Sequence, residues 1–271
     1  MPQQDPDAAA GEERGATDDG AALRDLWAAV RLLRLKGSCG HLYRLWEAYC
    51  SVIKPNNALR FRPRSTFAPD SYYQRWGIRY YDVFYGVANP EDYEGLIVDT
   101  PVNEDAKMMD AGKIACFLFI GKARQLVHNH PDIYRVSWAS QHIHPRRVYF
   151  AGRDIGHPYP RRWRHHFIIF YFRNGKHIVF DPAGMGYGIE GHWHEFDEYK
   201  EKYFDQQHQL LEIDPDEIES LLAFDNHFVV MKQVLERMSN EQLRDVANRL
   251  PGITTQLREI FLAVQQENVQ V

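Results

Sequence analysis

The tightest constraint on the fold lies in one hairpin. Phe167-Ile168-Ile169-Phe170-Tyr171-Phe172 is a continuous apolar run, the pattern of a strand buried on both faces. Asn174-Gly175 follows, a strong two-residue turn signal. His177 to Phe180 returns antiparallel, and Asp181-Pro182 ends the second strand because proline cannot donate to the ladder. Such a strand needs a cover. The best candidate is Cys116-Phe117-Leu118-Phe119-Ile120-Gly121-Lys122-Ala123, preceded by a glycine turn at Asp110-Ala111-Gly112. Cys116, Phe119, Ile120, Ala123 and Val127 share a helix face, and Phe117 and Leu118 fill the opposite side. A helix apolar nearly all round belongs inside the protein.

A cysteine near the start of that helix feels the positive end of the dipole, which favours the thiolate. His166 opens the apolar strand, and Asp181 closes its partner. With a two-residue turn, Arg173 pairs with Lys176, and His166 then falls opposite Ala183. Asp181 is two residues away along the same strand. A carboxylate–imidazole hydrogen bond is expected there, leaving the other ring nitrogen for the Cys116 thiol. Cysteine, histidine and aspartate in this order suggest a nucleophile, its base and the base's orienter. The neighbouring His165 would point to the opposite face and is the alternative base. Cys39, in Gly37-Ser38-Cys39-Gly40-His41, also sits at a helix start but lacks the following histidine–strand–Asp-Pro block.

The rest of the chain fits around these elements. Residues 1–20 read as a disordered arm, rich in Ala, Gly, Asp and Glu. Residues 21–210 read as one domain that opens with a helical hairpin. Leu23, Leu26, Trp27, Val30 and Leu33 have helical spacing, Gly37 stops the first helix, and Leu42, Leu45, Trp46 and Tyr49 mark the second. The aromatic cluster from Tyr72 to Tyr85 is ambiguous between helix and strand, and Leu96-Ile97-Val98 suggests a short strand. Tyr134–Ala139 and Arg147–Phe150 read as strands. Residues 211–271 read as a helical extension, with helices near 216–237, 240–249 and 254–266. Asp214-Pro215-Asp216-Glu217 and Ser239-Asn240-Glu241-Gln242 mark two helix starts.

Composition excludes several classes. The 271 residues include fifteen Tyr, fifteen Phe and six Trp, enough for a sizeable core. Three cysteines with no close pairing do not form a disulfide framework. No secretory h-region and no run long enough to span a membrane is present, so a cytoplasmic protein is expected, with export by a route that needs no classical signal as the alternative. The net charge of −5 implies no general affinity for nucleic acid or anionic membrane. One region departs from that average. Arg146, Arg147, Arg153, Arg161, Arg162 and Arg164 crowd just ahead of His166. They would form an electropositive rim that steers an acidic or carrier-bound substrate to the thiol, with Arg161, Arg162 and Arg164 as the nearest contacts. Three His-x-His pairs, His128/His130, His142/His144 and His192/His194, could supply metal ligands. None has the further ligands of a known signature, so neither metal nor cofactor is expected.

The order Cys, His at the head of an apolar strand, short hairpin and Asp-Pro resembles the transglutaminase-like core of the papain-type cysteine enzymes. The residues that carry it are Gly112 to Phe119 and the block from His166 through Asn174-Gly175-Lys176 to Ala183. The resemblance spans roughly residues 96–185. It implies an α+β fold with a central buried helix packed on an antiparallel sheet. It also implies Cys116 as nucleophile, His166 as base and Asp181 as orienting acid. Trp76 is a candidate contact near the second oxyanion donor. The implied chemistry is acyl transfer through a thioester: deamidation or transamidation of a protein glutamine, or amide formation on a small acyl or amine substrate. Two other readings stand beside it. One is a relative that keeps the fold as a binding module, suggested by Phe117 and Phe167 where that family places smaller residues. The other is a histidine-ligated metalloprotein.

Overall fold

The computed structural model describes residues 16–53, 59–63, 79–85, 111–151, 164–222, 226–250 and 252. These form a mixed α+β structure with two sheets. Strands β1 (Leu59–Pro63), β2 (Arg79–Tyr85) and β4 (Arg147–Ala151) make a three-stranded sheet, antiparallel between β1 and β2 and parallel between β2 and β4. The larger sheet is antiparallel throughout. Its order is β7 (Trp193–Glu195), β6 (His177–Phe180), β5 (Arg164–Phe172), β3 (Ile133–His142) and β8 (Leu211–Ile213).

The apolar run of β5 explains how the large sheet is covered. Successive side chains of a strand point to opposite faces. Ile168, Phe170 and Phe172 face one side with Trp138, Ile178 and Phe180. There they meet α1 (Ala16–Ile53), α2 (Gly112–Leu126) and α5 (Asn226–Arg237). Phe167 and Ile169 face the other side with Ala139 and Val179, and meet Tyr199 and Tyr203 of α3 (Phe196–Tyr203). Helix α2 is the centre of the first layer: Ala115 through Ile120 and Ala123 are all buried. Even Lys122 is buried, its ammonium donating to the Met238 carbonyl just past the end of α5.

Several sequence expectations change. No break falls at Gly37, because α1 runs unbroken from Ala16 to Ile53. A glycine inside a helix costs about 1 kcal/mol, and tertiary packing commonly overrides so small a term. Here Leu35, Cys39, Leu42, Trp46 and Cys50 are buried along one continuous stripe that crosses Gly37 and Gly40. Residues 16–20, assigned to a disordered arm, already belong to this helix. The boundary proposed at 210/211 cuts through the sheet, since β8 pairs with β3 at Leu211, Glu212 and Ile213. Of the helix expected near 216–237, the described residues are helical over Pro215–Leu222 (α4) and Asn226–Arg237 (α5). Residues 240–250 are helical as expected. The aromatic segment 72–85 is strand over Arg79–Tyr85. Leu96–Val98 and 254–266 lie outside the described residues.

A core built on β5 has a measurable signature. Phe170→Ala should cost about 3–5 kcal/mol of unfolding free energy, because it empties a fully buried site between the sheet and α2. Val230→Ala, on an exposed face of α5, should stay within about 0.5 kcal/mol. Urea unfolding of both variants checks the contrast.

Candidate functional site

Asp181 anchors the site. Its side chain is completely buried at the end of β6. Three donors hold the carboxylate. His165 Nε2 donates to Oδ1 at 2.8 Å, the Ala183 N–H donates to Oδ1 at 3.2 Å, and the Tyr199 hydroxyl donates to Oδ2 at 2.6 Å. Burial, the largest influence on Asp181, pushes its carboxyl up. The charge and hydrogen bond of His165 and the hydrogen bond of Tyr199 outweigh it, and the net direction is down. The tight loop leaves no slack around this group. A Cβ at Gly184 would sit 2.1 Å from Asp181 Oδ2, so position 184 admits glycine alone unless the held carboxylate moves.

The partner of Asp181 is therefore His165 and not His166, and the hairpin register gives the reason. Ile168 pairs with Phe180 and Tyr171 with His177, so Phe172 and Lys176 oppose each other across a three-residue turn. Gly175 takes φ +82° there, the left-handed residue of a longer hairpin loop. The two-residue turn read from Asn174-Gly175 is one residue too short. A one-residue slip exchanges the faces of every side chain on the strand. It carries His165 to the face of Ala183 and Asp181, and turns His166 the other way.

His166 has different company. Its Nδ1 accepts a hydrogen bond from the buried Trp138 indole at 3.2 Å, which requires an unprotonated nitrogen. Burial, then the charges of His165, Lys113 and Arg164, lower its pKa to about 3. His166 thus meets an indole on the face opposite Asp181, while Asp181 is held by His165.

The surroundings of Cys116 also differ from those expected. Helix α2 begins at Gly112, so Cys116 is its fifth residue and lies past the first turn, where the dipole effect fades. The sulfur is fully buried and hydrogen-bonds to neither His165 nor His166. Burial, and secondarily the charge of Asp181, push the thiol well above its ordinary pKa. The helix residue that meets the imidazole is Gly112. A Cβ there would lie 3.1 Å from His165 Nδ1 and 3.2 Å from both Cε1 and the His166 carbonyl oxygen. His165 Nδ1 itself is buried and has no hydrogen-bond partner. The ring edge that would face a nucleophile is thus bordered by a residue without a side chain. Cys116 lies one helical turn further along the same face, near enough for the charge of Asp181 to be felt at its sulfur and for its own to be felt at Tyr199.

The remaining candidates divide. Arg164, at the head of β5, is exposed. Arg161, Arg162, Arg153 and Trp76 lie outside the described residues, and Arg147 begins β4. Cys39 is buried in α1, and burial raises its thiol far above the ordinary range. Among the described residues, no group of three or more His, Cys, Asp or Glu side chains converges as a metal site would require. His194 approaches the ring of Tyr199 at 5.0 Å, and His192 stacks on Tyr43 at 4.3 Å. Gly112 and Tyr199 are the site residues that sequence reasoning missed. Tyr199 carries no local signal. Gly112 carried one: it stands closer to the helix start than the cysteine does.

Comparison with known proteins finds no matching family model, no matching curated protein and no matching solved structure. Among the described residues, no helix is long and apolar enough to cross a membrane.

The neutral His166 has a pH consequence. Its folded pKa is depressed from 6.5 to about 3, so its contribution to stability is present above pH 6.5 and is lost as pH falls toward 3. The loss is at most about 1.4 kcal/mol per pH unit in that window. His166→Gln keeps an acceptor for the Trp138 indole and removes the titration. Urea midpoints measured across the window should fall more shallowly with acidification in this variant than in the wild type.

Proposed function

We propose that this chain is a transglutaminase-like scaffold that has kept the base and its orienting acid but not the nucleophile, and that it acts by binding rather than by bond cleavage. The observation that carries this reading is the pairing of His165 with Asp181 on one ring nitrogen, while the other faces Gly112. In a working thiol enzyme of this kind the sulfur stands beside the imidazole, so that a thiolate–imidazolium pair forms at neutral pH. Here the first residue of the helix offers only a Cα. The Cys116 sulfur, one helical turn further along, is fully buried, with its protonated form favoured. The polar cluster then serves the fold, tying the ends of β5 and β6 to α3 through Asp181. The ligand class that follows from the scaffold is a protein glutamine or a small acyl or amine group, held without reaction.

The acyl-transfer reading, with Cys116 as nucleophile, His165 as base and Asp181 as orienter, keeps one supporting observation. Three donors are spent on a buried carboxylate that aims an imidazole at the start of a helix, which is the arrangement such chemistry uses. It requires the sulfur to come within hydrogen-bond reach of Nδ1.

Alkylation with iodoacetamide separates the two. The binding scaffold predicts that Cys116 in the native chain stays unlabelled until denaturant is added. Rapid native labelling that mass spectrometry assigns to Cys116, and that His165→Ala slows, would establish the enzyme. A second experiment rebuilds the missing group. In Gly112→Cys/Cys116→Ala the new Cβ needs its neighbours to give by a few tenths of an ångström. The new thiol should alkylate at least about tenfold faster than an ordinary cysteine below its usual pKa, and lose that advantage when His165 is also replaced.

A further inference from the structure

The N-terminal half of α1 carries a second apolar stripe that the core does not use. Leu23, Leu26, Val30 and Leu33 follow a three–four–three spacing, the a and d positions of a heptad, with Trp27 at the adjoining e position. Leu23, Leu26, Trp27 and Leu33 are 55%, 59%, 51% and 67% exposed. The buried stripe of the same helix, through Leu35, Cys39 and Leu42, lies about half a turn around the axis. The outward stripe is therefore not a continuation of the core.

Nor is the underside of this segment closed onto the core. A cavity of about 840 Å³ separates it from the β5–β6 turn, lined by Trp27, Leu32, Phe172 and Ile178 among others. The arm is tied across that gap by Arg31, which donates from Nε and Nη2 to Asp132 Oδ2 at 2.9 and 2.7 Å. Leu23, Leu26 and Leu33, each more than half exposed in the seam, and Trp27, exposed at the border between seam and cavity, make a patch on the order of 400 Å². A patch of that size matches the largest on a typical monomer, which is often functional.

The charges beside the stripe define the occupant. In the heptad frame, the e and g positions from Ala22 to Lys36 are Ala22, Trp27, Ala29, Arg34 and Lys36. Both charged ones are cations, and both are exposed. The acid of this segment, Asp25, falls at c, away from the seam, and Arg24 falls at b. A second copy of the same helix would bring alanine, tryptophan and more cations to those flanks, with no carboxylate to meet Arg34 or Lys36. We infer that this face of α1 docks a partner's amphipathic helix with apolar a and d positions and acidic e and g positions, forming a short two-stranded coiled coil. This interface is independent of whether the His165 site is catalytic.

The test uses the full chain and two synthetic three-heptad peptides with leucine at a and d, one with glutamate and one with lysine at e and g. Fluorescence anisotropy of the labelled peptides should show the glutamate peptide binding about tenfold or more tighter than the lysine peptide, an advantage that shrinks as salt rises. Leu26→Asp should weaken the glutamate peptide at least about tenfold, and Arg34→Glu/Lys36→Glu should reverse the preference between peptides. The second variant changes only exposed charges, so it tests the idea even if Leu26→Asp does not fold. Equal affinity for both peptides, or binding indifferent to both variants, overturns the proposal. So does a concentration-dependent dimer in sedimentation velocity that Leu26→Asp abolishes, since that outcome gives the stripe to a second copy.

Discussion

A buried carboxylate is costly unless every oxygen is answered, and Asp181 is answered three times. Much of the local architecture follows from that need. The donors come from three places in the chain: the head of β5, the loop after β6 and helix α3. Satisfying one carboxylate therefore fixes the hairpin register at its far end, the path of the Pro182–Gly188 loop and the docking of α3 on the sheet. Gly184 is part of the same arrangement, because the loop passes so close that a Cβ would overlap Asp181. Removing a single donor would leave a desolvated charge half satisfied, which is worse than having no charge there.

The same interaction decides what the imidazole can do. An ionised carboxylate only accepts, so Nε2 of His165 carries the proton and Nδ1 is left as the free nitrogen. What stands opposite Nδ1 then separates a catalyst from a scaffold. It is the first residue of α2, and that residue is glycine. Cys116 belongs to the interior of the helix, packed among Ala115, Phe117, Phe119 and Ile120, where a thiol behaves as a small apolar side chain. On the proposed reading, the buried Cys116 thiol does not pair with the free ring nitrogen of His165.

Much of this architecture was legible in the sequence. The apolar run at 167–172, the Asn-Gly turn and the Asp-Pro stop located β5 and β6, and the all-round apolar pattern after Gly112 located a buried helix. The candidate site was legible only in part, because two small offsets lie below what pattern can resolve. A turn of three residues in place of two reversed the faces of His165 and His166, and nothing between Phe172 and Lys176 distinguishes those lengths without the pairing itself. The sequence suggests a turn at Gly112 with Cys116 near the positive end, whereas Gly112 is already helical. The missed unity of α1 has a different cause. Two glycines predict a break, but the buried stripe from Leu35 to Cys50 is worth more than their propensity costs.

The separation of Cys116 from the His165 ring is the claim on which the functional account stands, and thiolate absorbance measures it without any substrate. The native chain is titrated from acid through neutral pH by ultraviolet difference spectroscopy, against Cys116→Ala and His165→Ala. The account predicts no thiolate signal from Cys116 at neutral pH, and spectra that match in all three proteins. A thiolate band at neutral pH that disappears in both variants would show a sulfur–imidazole ion pair and contradict it.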